Sequence, residues 1–262
     1  MDFASRADFA VTLATAAGDL AKRYFADHTS LAIDKKGAQD WVSEADRKVE
    51  LFVRDEIKNA FPDDGIVGEE FGATVNETGF TWVIDPIDGT TNFVNGIPNW
   101  TVVLAGVSAG ETQVGVIRDP MMDETFSTLR GHGAMLNGTA MSVAHVKALP
   151  DGTVAVGLSN RATAENAVQI IAELVARGAL FHRNASGALS LAYVASGRLL
   201  GYMEEHMNAW DCLAGQLLVE EAGGKIEAQN ADAVIRDGGR IIASAPQVFD
   251  DLTSIAATVW QS

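Results

Sequence analysis

The sequence predicts a mixed α/β fold in which helices and an antiparallel sheet are followed by an α/β part. Strand-like runs with short turns between residues 100 and 143 are typical of an antiparallel meander, and Asn137-Gly138 is its strongest hairpin signal. Beyond Pro150-Asp151-Gly152, strands and helices alternate instead. No repeat or linker separates the two parts. We therefore expect residues 1–262 to form one unit, with sublobes of about 1–150 and 151–262.

Helices are predicted where apolar residues recur every three or four positions. Residues 4–26 follow this spacing, which predicts an amphipathic first helix. Ser43 stands three residues before Asp46, so a capping box can open a second helix that continues to Ile57. In the second half we expect strands at 154–158, 179–182, 199–203 and 241–244, and helices at 164–177, 188–195, 210–223 and 248–259.

Composition excludes several classes of function. A chain of 262 residues with 47% hydrophobic and 21% charged residues is typical of a folded globular protein. The formal net charge of -16 repels nucleic acid and anionic lipid, so we expect neither as a partner. Cys212 is the only cysteine, which excludes an intrachain disulfide and a cysteine-based zinc site. The first residues lack the basic start and continuous apolar run of a signal peptide, and no apolar run is long enough to span a bilayer, so we expect a cytoplasmic protein.

One stretch, residues 82–93, joins a predicted buried strand to two carboxylates, a glycine and two threonines. Pro86 lacks an N–H and is expected to end the strand, which lets Asp85 and Asp88 fold toward one point. Two close carboxylates repel each other unless a cation lies between them, and Mg2+ is a hard cation that takes oxygen ligands. The stretch therefore predicts a magnesium site, while an ordinary turn followed by a helix cap is the simpler alternative.

The residues after this pair of acids are suited to binding a phosphate group. Asp88 is a good N-cap residue, and Gly89-Thr90-Thr91 would then present free backbone N–H groups at a helix start. Because these N–H groups and the helix dipole stabilise anions, phosphate oxygens would bind there.

Two further acids stand where they could complete the cation site. Glu69 follows a short apolar run at 66–68 that predicts a buried strand, and Asp211 lies in the first turn of the helix at 210–223. Each has a simpler alternative, because Glu69 could belong to a solvated acidic turn and Asp211 could only stabilise the helix dipole.

In combination, these motifs resemble the inositol monophosphatase family of metal-dependent, lithium-sensitive phosphatases. Three acidic motifs occur in the order that the family shows: Glu69-Glu70, then Asp85-Pro86-Ile87-Asp88-Gly89-Thr90-Thr91, then Trp210-Asp211. The resemblance covers nearly the whole chain and includes the segments 43–46, 131–134, 137–138, 192–197 and 221–224. It implies a layered α-β-α-β-α sandwich that pairs as a homodimer.

The resemblance also implies two to three Mg2+ ions per active site. One ion would be bound by Glu69, Asp85 and the backbone carbonyl of Ile87. A second ion would be bound by Asp85, Asp88 and Asp211, and a third, weaker ion would lie near Glu69.

The remaining roles implied by the resemblance concern the phosphate ester. The backbone N–H groups of Gly89 and Thr90 would hold the phosphate, next to Asp88 and Asp211. Glu69 and Thr90 would position the attacking water, with Asp46 hydrogen-bonded to Thr90. A monoester dianion repels hydroxide, so in two-metal hydrolysis one ion lowers the pKa of a water and another stabilises the departing alkoxide. No covalent intermediate is required.

The leaving group is expected to meet a different part of the chain. Glu204, seven residues before Asp211, matches the family's carboxylate that accepts hydrogen bonds from substrate hydroxyls. Ser186 is retained in the substrate loop, whereas Ala185 stands where the family usually has glycine. Hydrolysis of myo-inositol monophosphate is the resulting prediction.

Three alternatives to inositol phosphate remain open at this stage. A histidinol-phosphate phosphatase more often carries Thr-Arg after the glycine, where this chain has Thr90-Thr91. A broader sugar or polyol phosphatase would share the same metal motifs. A metal-binding regulator without turnover is disfavoured because every expected ligand is present.

Overall fold

A computed structural model describes residues 2–30, 32–37, 40–74, 77–158, 161 and 163–260. The α-helices within these residues are α1 (Phe3–Ala26), α2 (Glu44–Ala60), α3 (Thr90–Val94), α4 (Ala164–Ala176), α5 (Gly187–Ala195), α6 (Ala209–Glu221), α7 (Ala231–Asp237) and α8 (Phe249–Val259). Among the described residues, no helix combines the length and the apolar composition needed to cross a bilayer.

The strands form a two-stranded hairpin and two larger sheets. The hairpin consists of β1 (Ile33–Gly37) and β2 (Asp40–Ser43). The eight-stranded sheet contains β3 (Gly65–Gly68), β4 (Gly72–Ala73), β5 (Phe80–Asp88), β6 (Thr101–Ser108), β7 (Glu111–Asp119), β8 (Glu124–Leu129), β9 (Ala134–Leu136) and β10 (Thr139–Ala140). The five-stranded sheet contains β11 (Thr153–Val156), β12 (Leu180–His182), β13 (Gly201–Met207), β14 (Lys225–Ile226) and β15 (Gly239–Ser244).

These elements stack in five layers, which confirms the predicted mixed α/β fold and the α-β-α-β-α sandwich. α1 and α2 cover the outer face of the eight-stranded sheet. α5 and α6 lie between the two sheets, and α4 and α8 pack on the other face of the five-stranded sheet. Successive side chains of β5 point to opposite faces of the sheet and so belong to different cores. Trp82 and Ile84 pack in the core under α1 and α2, whereas Val83 packs in the core between the two sheets.

The eight-stranded sheet has the order β10-β9-β8-β7-β6-β5-β3-β4, and every neighbouring pair except β3 and β5 is antiparallel. The meander and its hairpin are confirmed, because Asn137 and Gly138 join β9 to β10 with φ angles of 49° and 75°. The parallel pair matters for function, since two parallel neighbours end at the same edge of a sheet.

The five-stranded sheet has the order β12-β11-β13-β15-β14 and is mixed. β11 runs parallel to both β12 and β13, as expected for alternating strands and helices, while β15 runs antiparallel to β13 and β14. The main elements of the second half lie close to their predicted positions. The short elements α7 and β14 were not predicted, because runs of two to seven residues carry little periodicity.

Two local predictions about the stretch at 82–93 are wrong. Pro86 does not end the strand, because β5 continues to Asp88 and its pairing with β6 shifts register between Asp85 and Asp88, which accommodates the proline at an irregularity. Asp88 is not the N-cap of α3 either. Gly89 takes that position with a φ of 97°, a left-handed conformation that favours glycine.

A buried ion pair anchors α1 to the sheet far from any motif. Asp64, between α2 and β3, accepts hydrogen bonds from Arg6 at 2.8 and 2.9 Å and from the indole N–H of Trp82 at 3.1 Å. The Arg6 guanidinium also lies 4.5 Å from the ring centre of Phe61. Asp64 thus joins the outer helical layer to the sheet.

Candidate metal centre and substrate cleft

Glu69 and Asp85 lie side by side because β3 and β5 run parallel to each other. Gly68 pairs with Ile84 in the parallel register, so the next residue on each strand is an acid: Glu69 just after the end of β3, and Asp85 within β5. The backbone N–H of Glu69 donates to the carbonyl of Ile84 at 3.3 Å, which continues the ladder by one step. Glu69 is thus placed at a strand end, as expected from the sequence.

Asp85, Asp88 and Asp211 form a cluster of three carboxylates, with one oxygen of each lying within 4.8 Å of the others. Asp85 and Asp88 come from the end of β5, and Asp211 comes from the first turn of α6 in the middle layer. Glu69 does not join this group of three but lies near enough for its charge to act on Asp85.

Burial raises the pKa values of all three aspartates, and repulsion between carboxylates adds to the shift at Asp85 and Asp211. Burial raises the pKa of Asp85 well above its ordinary value, and the charges of Glu69, Asp211 and Asp88 raise it further. Burial and the charge of Asp88 raise the pKa of Asp211 to about 7. Burial also raises the pKa of Asp88, and hydrogen bonds from Ser186 and Ala188 oppose that effect.

This donor set fits a hard divalent cation. Three carboxylates that repel one another offer only oxygen ligands, which Mg2+ and Ca2+ prefer. A cation between them would offset both the burial and the repulsion that raise their pKa values.

Asp88 connects the strand end to the middle helical layer. Its carboxylate accepts hydrogen bonds from the Ser186 hydroxyl and from the backbone N–H groups of Gly187 at 3.2 Å and Ala188 at 2.9 Å. Asp88 therefore binds the N-terminus of α5 through both of its carboxylate oxygens. This contact fixes the carboxylate in place across 98 positions of sequence.

Thr90 and Asp46 lie together beside the end of β5. The Thr90 hydroxyl is 3.1 Å from Asp46 Oδ1 and 3.1 Å from the carbonyl oxygen of Ile87. Asp46 also completes the predicted capping box with Ser43, whose N–H donates to Asp46 Oδ2 at 2.8 Å. Burial raises the pKa of Asp46 to about 6, although its hydrogen bonds with Ser43 oppose the shift.

A cleft of about 170 Å³ adjoins the aspartate cluster. It is lined by Asp88, Asp211, Ser186, Glu204, Tyr202 and Arg183, among others. The cleft brings Glu204 to the same space as two of the three aspartates, as the sequence predicts.

Two residues that line this cleft, Tyr202 and Gly157, were missed by sequence reasoning. Tyr202 lies two residues before Glu204 on β13, so the two side chains share a face, and the phenol donates a hydrogen bond to Glu204 Oε2. Gly157 leaves the room they need, because an added Cβ would lie 2.0 Å from Glu204 Oε2. Burial raises the pKa of Glu204 to about 8, and the bond from Tyr202 opposes that shift. Strand periodicity could have indicated Tyr202, whereas nothing local indicated Gly157.

The loop before α5 holds an unusual backbone conformation. Ala185 has a φ of 59°, in the left-handed region that favours glycine. Asn92 of α3 clamps the loop by donating to the carbonyl of Asn184 at 2.7 Å and to the carbonyl of Asn99 at 2.6 Å. The alanine thus keeps the conformation that a glycine would adopt more easily.

His206 lies on β13, two residues beyond Glu204. Its ring contacts Arg161 at 2.8 Å and the carbonyl of Asp237 at 3.0 Å. It is not among the described residues that line the cleft, which favours a structural role.

The layered fold and its buried carboxylates define an α/β protein with a candidate divalent-cation site beside a polar cleft. The chain matches the inositol monophosphatase family over residues 2–262, and it belongs to that family. Family membership places the chain among metal-dependent phosphatases at the level of the family.

Individual relatives carry two kinds of name. An inositol-1-monophosphatase from Mesorhizobium japonicum is 38% identical over 236 residues, which cover 89% of each chain. A Nus factor SuhB from Salmonella typhimurium is 37% identical over 243 residues, which cover 91% of each chain.

Solved structures show the same fold. The extragenic suppressor protein SuhB from Bartonella henselae has a TM-score of 0.88 and 33% identity, with coverage of 94% of this chain and 95% of that chain. The IMPase from Thermotoga maritima has a TM-score of 0.87 and 31% identity, with coverage of 98% of both chains.

Proposed function

We propose that this chain is a Mg2+-dependent phosphatase that hydrolyses myo-inositol monophosphate to inositol and phosphate. The observation that carries the proposal is the cluster of Asp85, Asp88 and Asp211, which opens onto a cleft lined by Glu204. The same space therefore contains charged oxygen ligands and a further carboxylate able to accept hydrogen bonds from hydroxyl groups.

The proposed metal ligands are the three clustered aspartates, Glu69 and the carbonyl oxygen of Ile87. Two to three Mg2+ ions bound there would neutralise the ester's charge, lower the pKa of the attacking water and stabilise the leaving alkoxide. Hydrogen bonds within the protein already orient the carboxylates of Asp88 and Asp85. Asp88 accepts from backbone N–H groups of α5, and the N–H of Ile87 donates to Asp85 Oδ1 at 2.9 Å. This preorganisation supports the proposed role.

The proposed phosphate and water contacts lie next to those ligands. Gly89 and Thr90 would donate their backbone N–H groups to the phosphate, in keeping with the tight turn at Gly89, where an added Cβ would lie 2.8 Å from the carbonyl of Asn99. Glu69 and the Thr90 hydroxyl would orient the attacking water. The Thr90 hydroxyl donates its hydrogen to Asp46, which leaves the lone pairs of the Thr90 oxygen free to accept a hydrogen bond from the water.

The choice of an inositol ester rests on Glu204, which lines the cleft. Glu204 would accept hydrogen bonds from the ring hydroxyls of the leaving group, and Ser186 lines the same cleft. Histidinol phosphate offers an amine and an imidazole in place of these hydroxyls. This chain has Thr90-Thr91 where histidinol-phosphate phosphatases more often carry Thr-Arg, which supports the inositol ester.

A phosphate-release panel tests the proposed function. We expect inositol 1-phosphate to give a larger kcat/KM than histidinol phosphate, glycerol phosphate or fructose bisphosphate, with activity that requires Mg2+ and is inhibited by Li+. Asp88→Asn should abolish release while the far-ultraviolet circular dichroism spectrum stays unchanged. A larger kcat/KM for histidinol phosphate would select the alternative substrate, and Mg2+-independent release would contradict the mechanism.

The relatives named Nus factor make a role without turnover the second candidate. This chain retains each proposed ligand together with Thr90, which supports catalysis. If the panel shows no release with any ester while Mg2+ still raises the melting temperature, the non-catalytic role is the better conclusion.

We also propose that the chain forms a homodimer. Four large apolar side chains are exposed close together in sequence: Val168 and Val175 of α4, and Leu180 and Phe181 of β12. β12 is the edge strand of the five-stranded sheet, and an uncovered apolar edge favours association. Light scattering should give a dimer for the wild type and a monomer for Leu180→Asp; a monomeric wild type would contradict the proposal.

A further inference from the structure

Three buried ionic side chains lie along one stripe of α2. Asp46, Glu50 and Arg54 are spaced four residues apart, so they project from the same side of the helix. Their exposed fractions are 0%, 0% and 5%. Burying charge is costly unless every group is paired and hydrogen-bonded, so the partners of this stripe define what it does.

Glu50 holds the turn that begins with Glu69. Its Oε2 accepts a hydrogen bond from the N–H of Glu70 at 2.8 Å, and its Oε1 accepts one from the N–H of Phe71 at 3.2 Å. The turn joins β3 to β4 at the edge of the eight-stranded sheet. Because β4 has only two residues, its ladder alone fixes the turn weakly.

Arg54 completes the arrangement on the same side of the turn. Its Nε donates to Glu50 Oε1 at 2.7 Å, and its Nη2 donates to the carbonyl of Gly72, where the turn ends. Gly68, at the turn's start, has no room for a side chain, because an added Cβ would lie 2.1 Å from Glu50 Oε1. The ion pair is therefore packed directly against the backbone on either side of Glu69.

We propose that Glu50 and Arg54 are positioning residues that aim the Glu69 carboxylate at the metal centre. Asp46, one helical turn earlier on the same stripe, holds the Thr90 hydroxyl. A single rigid helix thus fixes both groups that orient the attacking water in the proposed phosphatase, on which this inference rests. Neither Glu50 nor Arg54 needs to contact substrate.

The test replaces Glu50→Gln. Three donors converge on the Glu50 carboxylate, and an amide offers only one oxygen, so the turn must lose at least one bond. We expect kcat to fall about 10- to 100-fold and the half-saturating Mg2+ concentration to rise, as for other groups that orient metal ligands. KM for the ester should change less than about twofold, because the cleft around Glu204 is untouched.

The matched control is Asp64→Asn, which weakens an equally buried carboxylate–arginine pair that anchors α1 instead. It should lower the melting temperature while kcat and the Mg2+ half-saturation stay at wild-type values. If Glu50→Gln fails to fold, Glu50→Gln/Arg54→Met removes the unpaired guanidinium and carries the same kinetic expectation.

Two outcomes would overturn the inference: wild-type kcat and Mg2+ half-saturation in the Glu50 variants, or the same kinetic loss in Asp64→Asn. An inactive wild-type chain would instead refute the proposed function. In that case the positioning role is still tested by measuring the melting temperature as a function of Mg2+ concentration. The Glu50 variants must then need more Mg2+ than the wild type, and an unchanged midpoint contradicts the inference.

Discussion

The carboxylate of Asp88 accepts a hydrogen bond from the hydroxyl of Ser186, 98 residues further along the chain. The same Ser186 oxygen accepts a bond from the N–H of Leu189 at 3.3 Å and so caps α5. One hydroxyl therefore joins a helix start to a proposed metal ligand, and its removal should affect both stability and metal binding.

Ser186→Ala should cost about 1–3 kcal/mol of unfolding free energy, since a helix cap and a bond to a buried carboxylate are both lost. It should also weaken Mg2+ binding, because Asp88 loses a donor that fixes its orientation. Urea unfolding and a Mg2+ titration measure the two effects. Thr163→Ala is the control: Thr163 caps α4 by accepting from Asn166, so only stability should fall.

Asp211→Asn should make the metal-free chain more stable. The neutral amide removes the repulsion between Asp211 and Asp88 that raises the pKa of Asp211. A gain of about 1 kcal/mol corresponds to a rise in Tm of about 2–4 °C for a domain of this size. In EDTA at pH 8 the variant should melt above the wild type, and added Mg2+ should no longer stabilise it. A lower Tm in EDTA would contradict this prediction.

The stability of the metal-free chain should fall as the pH rises from 6 to 8. The pKa of Asp211 is about 7 in the folded chain against an ordinary value of 3.8, so the folded state holds its proton more tightly than the unfolded state. The resulting stabilisation is complete below about pH 4 and is lost as the pH passes through about 7. Glu204, with a pKa of about 8, acts in the same direction.

Saturating Mg2+ should oppose this loss, because it binds the ionised carboxylates in competition with protons. The increase in Tm caused by Mg2+ should therefore be larger at pH 8 than at pH 6. Differential scanning calorimetry with EDTA and with Mg2+ measures the increase at each pH. Equal increases at both values would show that these carboxylates do not bind the ion.

Ala185→Gly should stabilise the chain modestly. The left-handed φ of 59° costs an alanine about 1–2 kcal/mol, which a glycine would not lose. The greater freedom of glycine in the unfolded chain opposes this gain by about 0.4–1 kcal/mol. We expect a net gain of about 0.5–1 kcal/mol in urea unfolding. Ala167→Gly, inside α4, is the control and should instead cost about 1 kcal/mol.

Tyr202→Phe should reduce the discrimination between esters. Without the phenol hydroxyl, Glu204 loses its donor and its fixed orientation in the cleft. We expect KM for inositol 1-phosphate to rise about 3- to 10-fold, within the range of one neutral or charged hydrogen bond, with a smaller change for glycerol phosphate. Tyr193→Phe is the control, because Tyr193 stacks with Arg198 on a different surface. An equal effect on both esters would contradict the role of Tyr202.

Much of the local structure could be predicted because it depends on neighbours in sequence. The capping box of Ser43 and Asp46 and the hairpin at Asn137-Gly138 are set by side chains and φ angles within four residues. The error at Pro86 arose where tertiary context prevailed, since the pairing of β5 with β6 resumes beyond the proline. Local rules describe a strand alone, whereas its neighbour decides where it ends.

The sequence by itself determined the order of the main elements, the acidic motifs and the resemblance to a family of phosphatases, because these are properties of residue type and spacing. Only the tertiary structure decided that Asp88 binds α5 and that Glu50 holds the turn at Glu69. Both contacts depend on the register of β3 with β5 and on the packing of helices against the sheets. Spacing along a chain fixes which face a side chain occupies, but only packing between layers fixes which partner it meets there.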